Sequence, residues 1–336
     1  MRLVEFVPPV RHPLWKLCLQ MGITDVIVKV MDRDPEKVIS DLSSAGLRVV
    51  GFEGDMFDMA PIKEGLPNRD EAIAKYISYL ELMARHGIGL LCYNFMVGQG
   101  WSRTGVREGR GGAKATCFSL QDALKSTPIG SDGFANASPS GFAGALAEAS
   151  DRSELKITPD QVWANYAYFI KAVMPTAEKL GIRMGLHPDD PCLPSLGGYA
   201  RIFGSVEAYD RAYEIYPSPS NAVTFCQANF KLMGVDLVEA AKHFGKRIAF
   251  VHVREVEGVR EDFTELFHDQ GTTDQFALMR TYRELGLDVP VRGDHVPEMA
   301  GDRRIAEDYI PGYSTLGRLF ANGYLKALLK GTEIKA

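Results

Sequence analysis

Ile182-Arg183-Met184-Gly185-Leu186-His187-Pro188-Asp189-Asp190 is an apolar run that ends abruptly in a histidine, a proline and two acids. A buried strand that delivers a polar group and then breaks is how a parallel α/β protein presents a ligand at its carboxyl edge. The same event recurs in Val223-Thr224-Phe225-Cys226, in Ala249-Phe250-Val251-His252 and in Pro290-Val291-Arg292-Gly293-Asp294-His295. Working outward, further strand candidates are Leu3–Val7, Val26–Val30, Leu47–Phe52 and Ile88–Phe95 upstream of Arg183–His187, with Ala222–Gln227, Ile248–Val253 and Val289–Asp294 downstream. Between them lie helical patterns. Residues 35–45, 69–86 and 159–180 carry apolar side chains at helical spacing, and shorter helices fit 206–213, 237–244, 274–285 and 315–329. Ala45-Gly46, His86-Gly87, Leu180-Gly181, Phe244-Gly245 and Leu285-Gly286 each put a glycine where a helix should stop before the next strand.

Eight such repeats predict an α/β fold consisting of a single (β/α)8 barrel, the TIM barrel, over residues 1–336. An open doubly wound sheet is disfavoured, because no glycine-rich phosphate loop follows the first strand. Gly109-Arg110-Gly111-Gly112 falls in a loop and is a poor nucleotide signal. After the fourth strand about sixty residues, 96–158, interrupt the pattern and are rich in Gly, Ser, Ala and Asn. A loop of that length is expected to be a lid or an oligomer arm, so a homo-oligomer is expected.

The bulk numbers narrow the function. A net charge of −5 argues against nucleic-acid binding, which needs a basic face. It leaves room for a small anion held by a few arginines in a cleft. No apolar run approaches the roughly 18 residues of a transmembrane helix, so no membrane partner is expected. Five scattered cysteines are not a disulfide framework. Together with the lack of a signal-peptide core before Pro8, this predicts a cytoplasmic protein.

His187, Cys226, His252 and Asp294 end the last four strands, roughly 40, 26 and 42 residues apart, or one β/α unit each. Neighbouring barrel strands would converge the four side chains on one ion. Taken singly each has a bland reading: a hydrogen-bonded histidine, a buried apolar cysteine, a core histidine, and an aspartate paired with Arg292 or Arg254. Four coincident strand ends favour a divalent metal. A thiolate beside two imidazoles suits Zn2+ or Fe2+, while a carboxylate with open positions suits Mn2+ or Mg2+. Four protein ligands are too many for an open tetrahedral catalytic zinc. Beside this cluster His295 and Tyr313 are candidates for proton transfer, Tyr313 having helix-entry packing as its alternative. Arg103 and Arg254 are candidates for binding a substrate carboxylate, or surface ion pairs. Asn94 is a candidate for a substrate hydroxyl, or a loop support. Asp189 and Asp190 either orient the ligand histidines or cap the following turn.

His187-Pro188-Asp189-Asp190-Pro191, Cys92-Tyr93-Asn94-Phe95-Met96, Trp101-Ser102-Arg103-Thr104 and Pro311-Gly312-Tyr313-Ser314 resemble the D-mannonate dehydratase family, within the xylose-isomerase-like group of TIM barrels. The likeness extends to Gly65-Leu66-Pro67-Asn68-Arg69-Asp70, Thr224-Phe225-Cys226 and His252-Val253-Arg254, and runs from about residue 37 to the C-terminus. It implies metal ligation by His187, Cys226, His252 and Asp294, and acid–base chemistry by His295 and Tyr313. It also implies Mn2+ as the cofactor, with Fe2+, Mg2+, Zn2+ or Co2+ as alternatives, and dehydration of a sugar acid to a 2-keto-3-deoxy acid. The chain departs from the family at Glu5-Phe6-Val7-Pro8-Pro9, where an aromatic segment is usual. It departs again at Gly54-Asp55-Met56-Phe57-Asp58-Met59, where a histidine is usual, and at Gly293, where proline is usual. These positions would face the far end of a substrate. Two other functions are compatible with the sequence: a sugar or sugar-acid epimerase or isomerase on the same barrel, and a non-catalytic sugar-acid binder.

Overall fold

The computed structural model describes residues 1–98, 100–124, 155–305 and 311–333. The N-terminal half runs β1 (Arg2–Leu3), β2 (Glu5–Val7), α1 (Pro13–Gln20), β3 (Asp25–Val28), α2 (Pro35–Ser44) and β4 (Arg48–Glu53). It continues with α3 (Ala60–Glu64), α4 (Arg69–Arg85), β5 (Leu90–Tyr93), β6 (Gly105–Glu108), β7 (Lys114–Ser119) and α5 (Leu120–Leu124). The second half runs α6 (Pro159–Leu180), β8 (Arg183–Leu186), β9 (Ser195–Leu196), β10 (Tyr199–Ala200), α7 (Val206–Ile215), β11 (Asn221–Cys226), α8 (Gln227–Leu232) and α9 (Leu237–Phe244). It ends with β12 (Ile248–Val253), β13 (Glu255–Val259), β14 (Asp262–Leu266), α10 (Gln275–Glu284), β15 (Pro290–Gly293) and α11 (Thr315–Gly331).

The strands pair in parallel in the order β1-β15-β12-β11-β8-β5-β4-β3-β2. Both ends of that order belong to the same N-terminal segment. β1 pairs with β15 (Leu3↔Val291) and β2 with β3 (Phe6↔Ile27), while Val4 between them donates its N–H to Val291 O at 2.9 Å. The sheet is therefore a closed ring of eight rungs, the barrel that the alternating pattern predicts. Its inside is packed by a small set that includes Val4, Ile27, Leu90, Ala222 and Phe250. A much larger apolar layer lies between strands and helices. There the rings of Tyr76 and Phe169, and of Tyr166 and Phe203, meet edge-on at 4.9 Å.

Local chemistry explains the helix ends. Thr158 and Gln161 form a capping box at the start of α6, and Gly181, at φ 68°, ends it in the left-handed conformation. Asp236 and Asp274 accept N–H groups of the first turns of α9 and α10. Two features go beyond the sequence expectation. α1 is an additional helix, capped by His12, whose Nδ1 accepts from Leu14 N at 3.0 Å. The loops after β5 and β12 are also not plain connections. They form a four-stranded antiparallel sheet in the order β13-β14-β7-β6, joined where Phe263 pairs with Phe118. Gly109 to Gly112 is the turn between β6 and β7. The segment expected to be a lid or arm thus holds a hairpin and a short helix up to Leu124; its residues 125–154 lie outside the described residues. Among the described residues no helix is long and apolar enough to cross a membrane.

The barrel interior tolerates no added volume at Gly185. A Cβ there would meet Thr224 Oγ1 at 2.6 Å, and that hydroxyl is already 3.0 Å from Gly185 O and 3.3 Å from Cys92 Sγ. Gly185→Ala is expected to lower stability by about 1–3 kcal/mol through overpacking, read as a lower midpoint in chemical denaturation.

Candidate active site

The strand ends deliver their side chains to one mouth of the barrel. His187 follows β8 and is tied down by its N–H to Tyr93 O at 2.7 Å. Its Nδ1 lies 2.8 Å from Pro188 O; donating there leaves Nε2 as the free lone pair. Cys226 ends β11 and stands in register with His252 on β12. Asp294 follows β15, with its N–H on Val253 O. One ligand atom from each of His187, Cys226, His252 and Asp294 lies within 4.8 Å of every other. His252 Nδ1 is buried with no hydrogen-bond partner and sits 3.7 Å from Asp294 Oδ2. A buried polar atom left unpaired is costly, and a cation bound by the Nδ1 lone pair would remove that cost, the ring proton then sitting on Nε2, 3.6 Å from Glu53 Oε2. The donor set, two imidazoles, a thiol and a carboxylate, fits a divalent metal.

A second group, Glu53, Cys92 and His252, is equally close. It is less suited to a metal, because its acceptors are already taken. Arg292 donates to Glu53 at 2.5 and 3.1 Å and to His252 Nε2 at 3.2 Å. Burial alone would push the Glu53 carboxyl up, but Arg292, and then His252, bring it down to about 2. Asp294 follows the same logic: burial would raise it, yet His295, Arg292 and His252 hold it well below the usual carboxylate range. Arg292 Nη2 is 2.9 Å from Asp294 Oδ1.

His295 and Tyr313 are in direct contact, with Nε2 and the phenol oxygen 3.0 Å apart. On its other side His295 Nδ1 lies 2.9 Å from Glu265 Oε1. Glu265 is a carboxylate, so Nδ1 carries the proton and donates. Nε2 then accepts from the Tyr313 hydroxyl. Withdrawal from water, and then the charge of Asp294, push the Tyr313 phenol up. Trp101 packs its edge against the His295 ring at 4.9 Å, and Phe6 sits 5.5 Å from the Tyr313 ring. The cavity between these groups has a volume of about 210 Å³, and Phe6, Asn94, His187, Asp294, His295 and Tyr313 are among its walls.

Beneath the cavity lies a buried knot of charge. Asp190 accepts from Arg103 at 2.6 and 3.1 Å and from Arg254 at 2.7 Å. Glu265 accepts from Arg103 at 2.5 and 2.9 Å and pairs with Arg254 at 2.8 Å. All four side chains are at most 1% exposed. Burial would push both carboxyls up, but the two guanidiniums, with His295 beside Glu265, hold them well below their ordinary range.

Of the two readings of Arg103 and Arg254, substrate carboxylate or ion pair, the geometry shows ion pairs with Asp190 and Glu265, buried rather than on the surface, and neither arginine lines the cavity. The expectation that Asp189 and Asp190 hold the ligand histidines is corrected. Asp190 takes the two arginines, while Asp189 accepts Phe203 N at 2.8 Å and faces Arg201. Asn94 does line the cavity, but its Oδ1 accepts from Lys63 Nζ at 2.9 Å and Met96 N at 3.1 Å. Sequence reasoning gave no role to Glu53 or Glu265, and named Arg292 only as a possible partner of Asp294, which it is. Glu53 directly follows the predicted strand Leu47–Phe52, so the strand-end rule that picked out His187 also points to it. Nothing local marks Glu265.

A sequence profile of the D-mannonate dehydratase family matches residues 36–335. A mannonate dehydratase of Brachyspira hyodysenteriae is 31% identical over 316 residues, covering 90% of this chain and 87% of that protein. The crystal structure of mannonate dehydratase from Streptococcus suis serotype 2 superposes with a TM-score of 0.85 at 26% identity, over 99% of this chain and 95% of the other. An L-ribulose 3-epimerase superposes with a TM-score of 0.59 at 10% identity, over 98% of this chain and 95% of the other, a likeness of fold alone.

Removing one partner of a buried ion pair strands the other. Asp190→Asn is expected to destabilise the fold by about 3–5 kcal/mol, seen as a lower melting temperature. Folding depresses the Asp190 and Glu265 carboxyls, so the stability they contribute is complete above the unfolded carboxylate range of about 4 and drains away as the pH falls below it. Denaturation midpoints measured from neutral pH down through this range should fall steeply in the wild type and less steeply in Asp190→Asn.

Proposed function

The chain belongs to the D-mannonate dehydratase family, and from that premise we propose that it removes water from D-mannonate or a related aldonic acid to give a 2-keto-3-deoxy acid. The observation that carries this reading is the Glu265–His295–Tyr313 chain of contacts set beside four metal-ligand atoms. His187, Cys226, His252 and Asp294 would hold a divalent cation, which we take to be Mn2+, since a carboxylate with room for substrate oxygens suits a hard ion. When bound, such a cation supplies Lewis-acid stabilisation of the negative charge that develops on the substrate's carboxylate.

The remaining chemistry belongs to the protein. His295 Nε2 takes the proton from the carbon next to the carboxylate. Glu265 keeps the opposite nitrogen protonated and stabilises the imidazolium that forms. Tyr313, whose environment keeps its phenol protonated, gives its proton to the departing hydroxyl of the next carbon. The carbon–oxygen bond breaks, water leaves, and the enol ketonises. The imidazolium then returns its proton to the phenolate across the 3.0 Å contact. Both groups are thereby reset, and the proton taken from carbon balances the one lost to water. Trp101 and Phe6 wall the pair off on either side, which keeps bulk water from quenching the carbanion.

Product analysis tests the reading directly. The Mn2+-loaded protein with D-mannonate should form a keto acid that reacts with semicarbazide, whereas an isomerase or epimerase would conserve substrate mass. His295→Asn and Tyr313→Phe should each lower kcat by about a hundredfold or more with the fold retained by circular dichroism. Near-full turnover by either variant would exclude that residue from proton transfer. Cys226→Ala should bind less Mn2+ in elemental analysis after gel filtration.

A further inference from the structure

The cavity has two unlike ends. One is formed by the strand ends of β8, β11, β12 and β15, which carry the metal-ligand cluster. Counting around the ring of eight rungs, β3 lies opposite β11 and β4 lies opposite β12. The residues that follow β3 and β4 therefore leave from the opposite side of the ring, although Glu53, the last residue of β4, itself reaches in to His252 at 3.6 Å. Lys29 comes one residue after β3 and lines the cavity. Its aliphatic stem runs over Gly54, where a Cβ would lie 3.6–3.9 Å from the lysine carbons.

A charge inventory of the wall isolates this ammonium. Glu53 and Asp294 are paired with Arg292. Asp190 is paired with Arg103 and Arg254. Asp55 has both oxygens on Lys63, at 2.8 and 2.9 Å, and Lys63 also reaches Asn94. Lys29 has no hydrogen bond or ion pair among the described residues, although its side chain is exposed to the cavity. The far end thus presents one ammonium with no direct partner among the described residues. A neutral polyol terminus would leave that charge as it stands in water. An anionic terminus would form a charge-assisted hydrogen bond with it.

We propose that the far end of this cavity binds a second carboxylate, so that the preferred substrate is an aldaric acid, a sugar acid oxidised at both ends. One carboxylate faces the metal-ligand cluster and the other reaches Lys29. This rests on the dehydratase reading above and extends it. A carboxylate fits better than a phosphate, which is normally met by several donors at once. Beside Lys29 the Gly54 N–H is already on Cys92 O at 2.9 Å, and the Lys63 ammonium is on Asp55 and Asn94.

The test assays the Mn2+-loaded full chain against C5 and C6 aldonates, the aldarates of matching configuration and the 6-phosphoaldonates. An aldarate should be turned over with kcat/KM at least tenfold above its aldonate. That ratio should fall at least tenfold in Lys29→Met and recover in Lys29→Arg, with melting temperatures confirming that both variants fold. An aldonate preferred over every aldarate, or a ratio unchanged in Lys29→Met, overturns the proposal. A Lys29-dependent preference for a 6-phosphoaldonate overturns the choice of carboxylate. Dehydration of none of these acids sinks the dehydratase reading instead. Calorimetric titration of D-glucarate and galactarate then still decides the matter of Lys29: binding at least tenfold weaker in Lys29→Met supports it, and equal binding overturns it.

Discussion

Two guanidiniums and two carboxylates, packed away from water, set the geometry of everything above them. Arg103, Asp190, and the pair Arg254 and Glu265 come from three different excursions of the chain at the carboxyl end of the barrel, after β5, β8 and β12. Each arginine touches both acids, so none of the three loops can shift without breaking contacts made by the other two. Formal charges cancel within the knot, which is what makes its burial tolerable; a buried ion left without a partner would cost several kcal/mol. Glu265 then extends this rigidity upward to His295, and through it to Tyr313. Catalytic groups gain from being held to within a fraction of an ångström, and here charge pairing does the holding rather than apolar packing.

Within the cavity the same economy appears in a second form. Arg292 serves Glu53, His252 Nε2 and Asp294 together, and this division of contacts leaves His252 Nδ1 as the orphan that faces the thiol and carboxylate. Gly293, standing between Arg292 and Asp294, fits a crowded spot: a Cβ there would lie 3.2 Å from Ala321 and 3.3 Å from His268.

The barrel was legible because its signals are local and repeat. Apolar runs of four to six residues, ended by glycines or acids, recur around the ring, and α6 and α9 begin and end where their periodicity places them. The four strand-end ligand candidates converge for the same reason: adjacent parallel strands leave equivalent positions side by side. What could not be read depended on partners distant in the chain. Gly105-Val106-Arg107-Glu108 and Glu255-Val256-Glu257-Gly258-Val259 look like polar loop, and they become strands through the ladder between β14 and β7, whose members belong to two separate excursions. Glu265 lies on β14 opposite Val256 of β13, so its role was hidden with that sheet. α1 escaped notice because its cap is a histidine, outside the usual Ser, Thr, Asp and Asn set. Arg103 and Arg254 kept two readings because arginine near a presumed anion site looks the same whether it faces the ligand or a buried acid.

The N-terminal rung of the barrel is split between two neighbours, with Arg2 and Leu3 on β15 and Glu5 to Val7 on β3. During synthesis this segment has β3 available soon afterwards, yet its other partner, Pro290–Gly293, is the last barrel strand to be made. Until then the nascent sheet has two open edges, each a template for pairing with a foreign chain. Completion of the cylinder is therefore a late, long-range event, and Arg2–Val7 acts as a latch that closes only once β15 has been made.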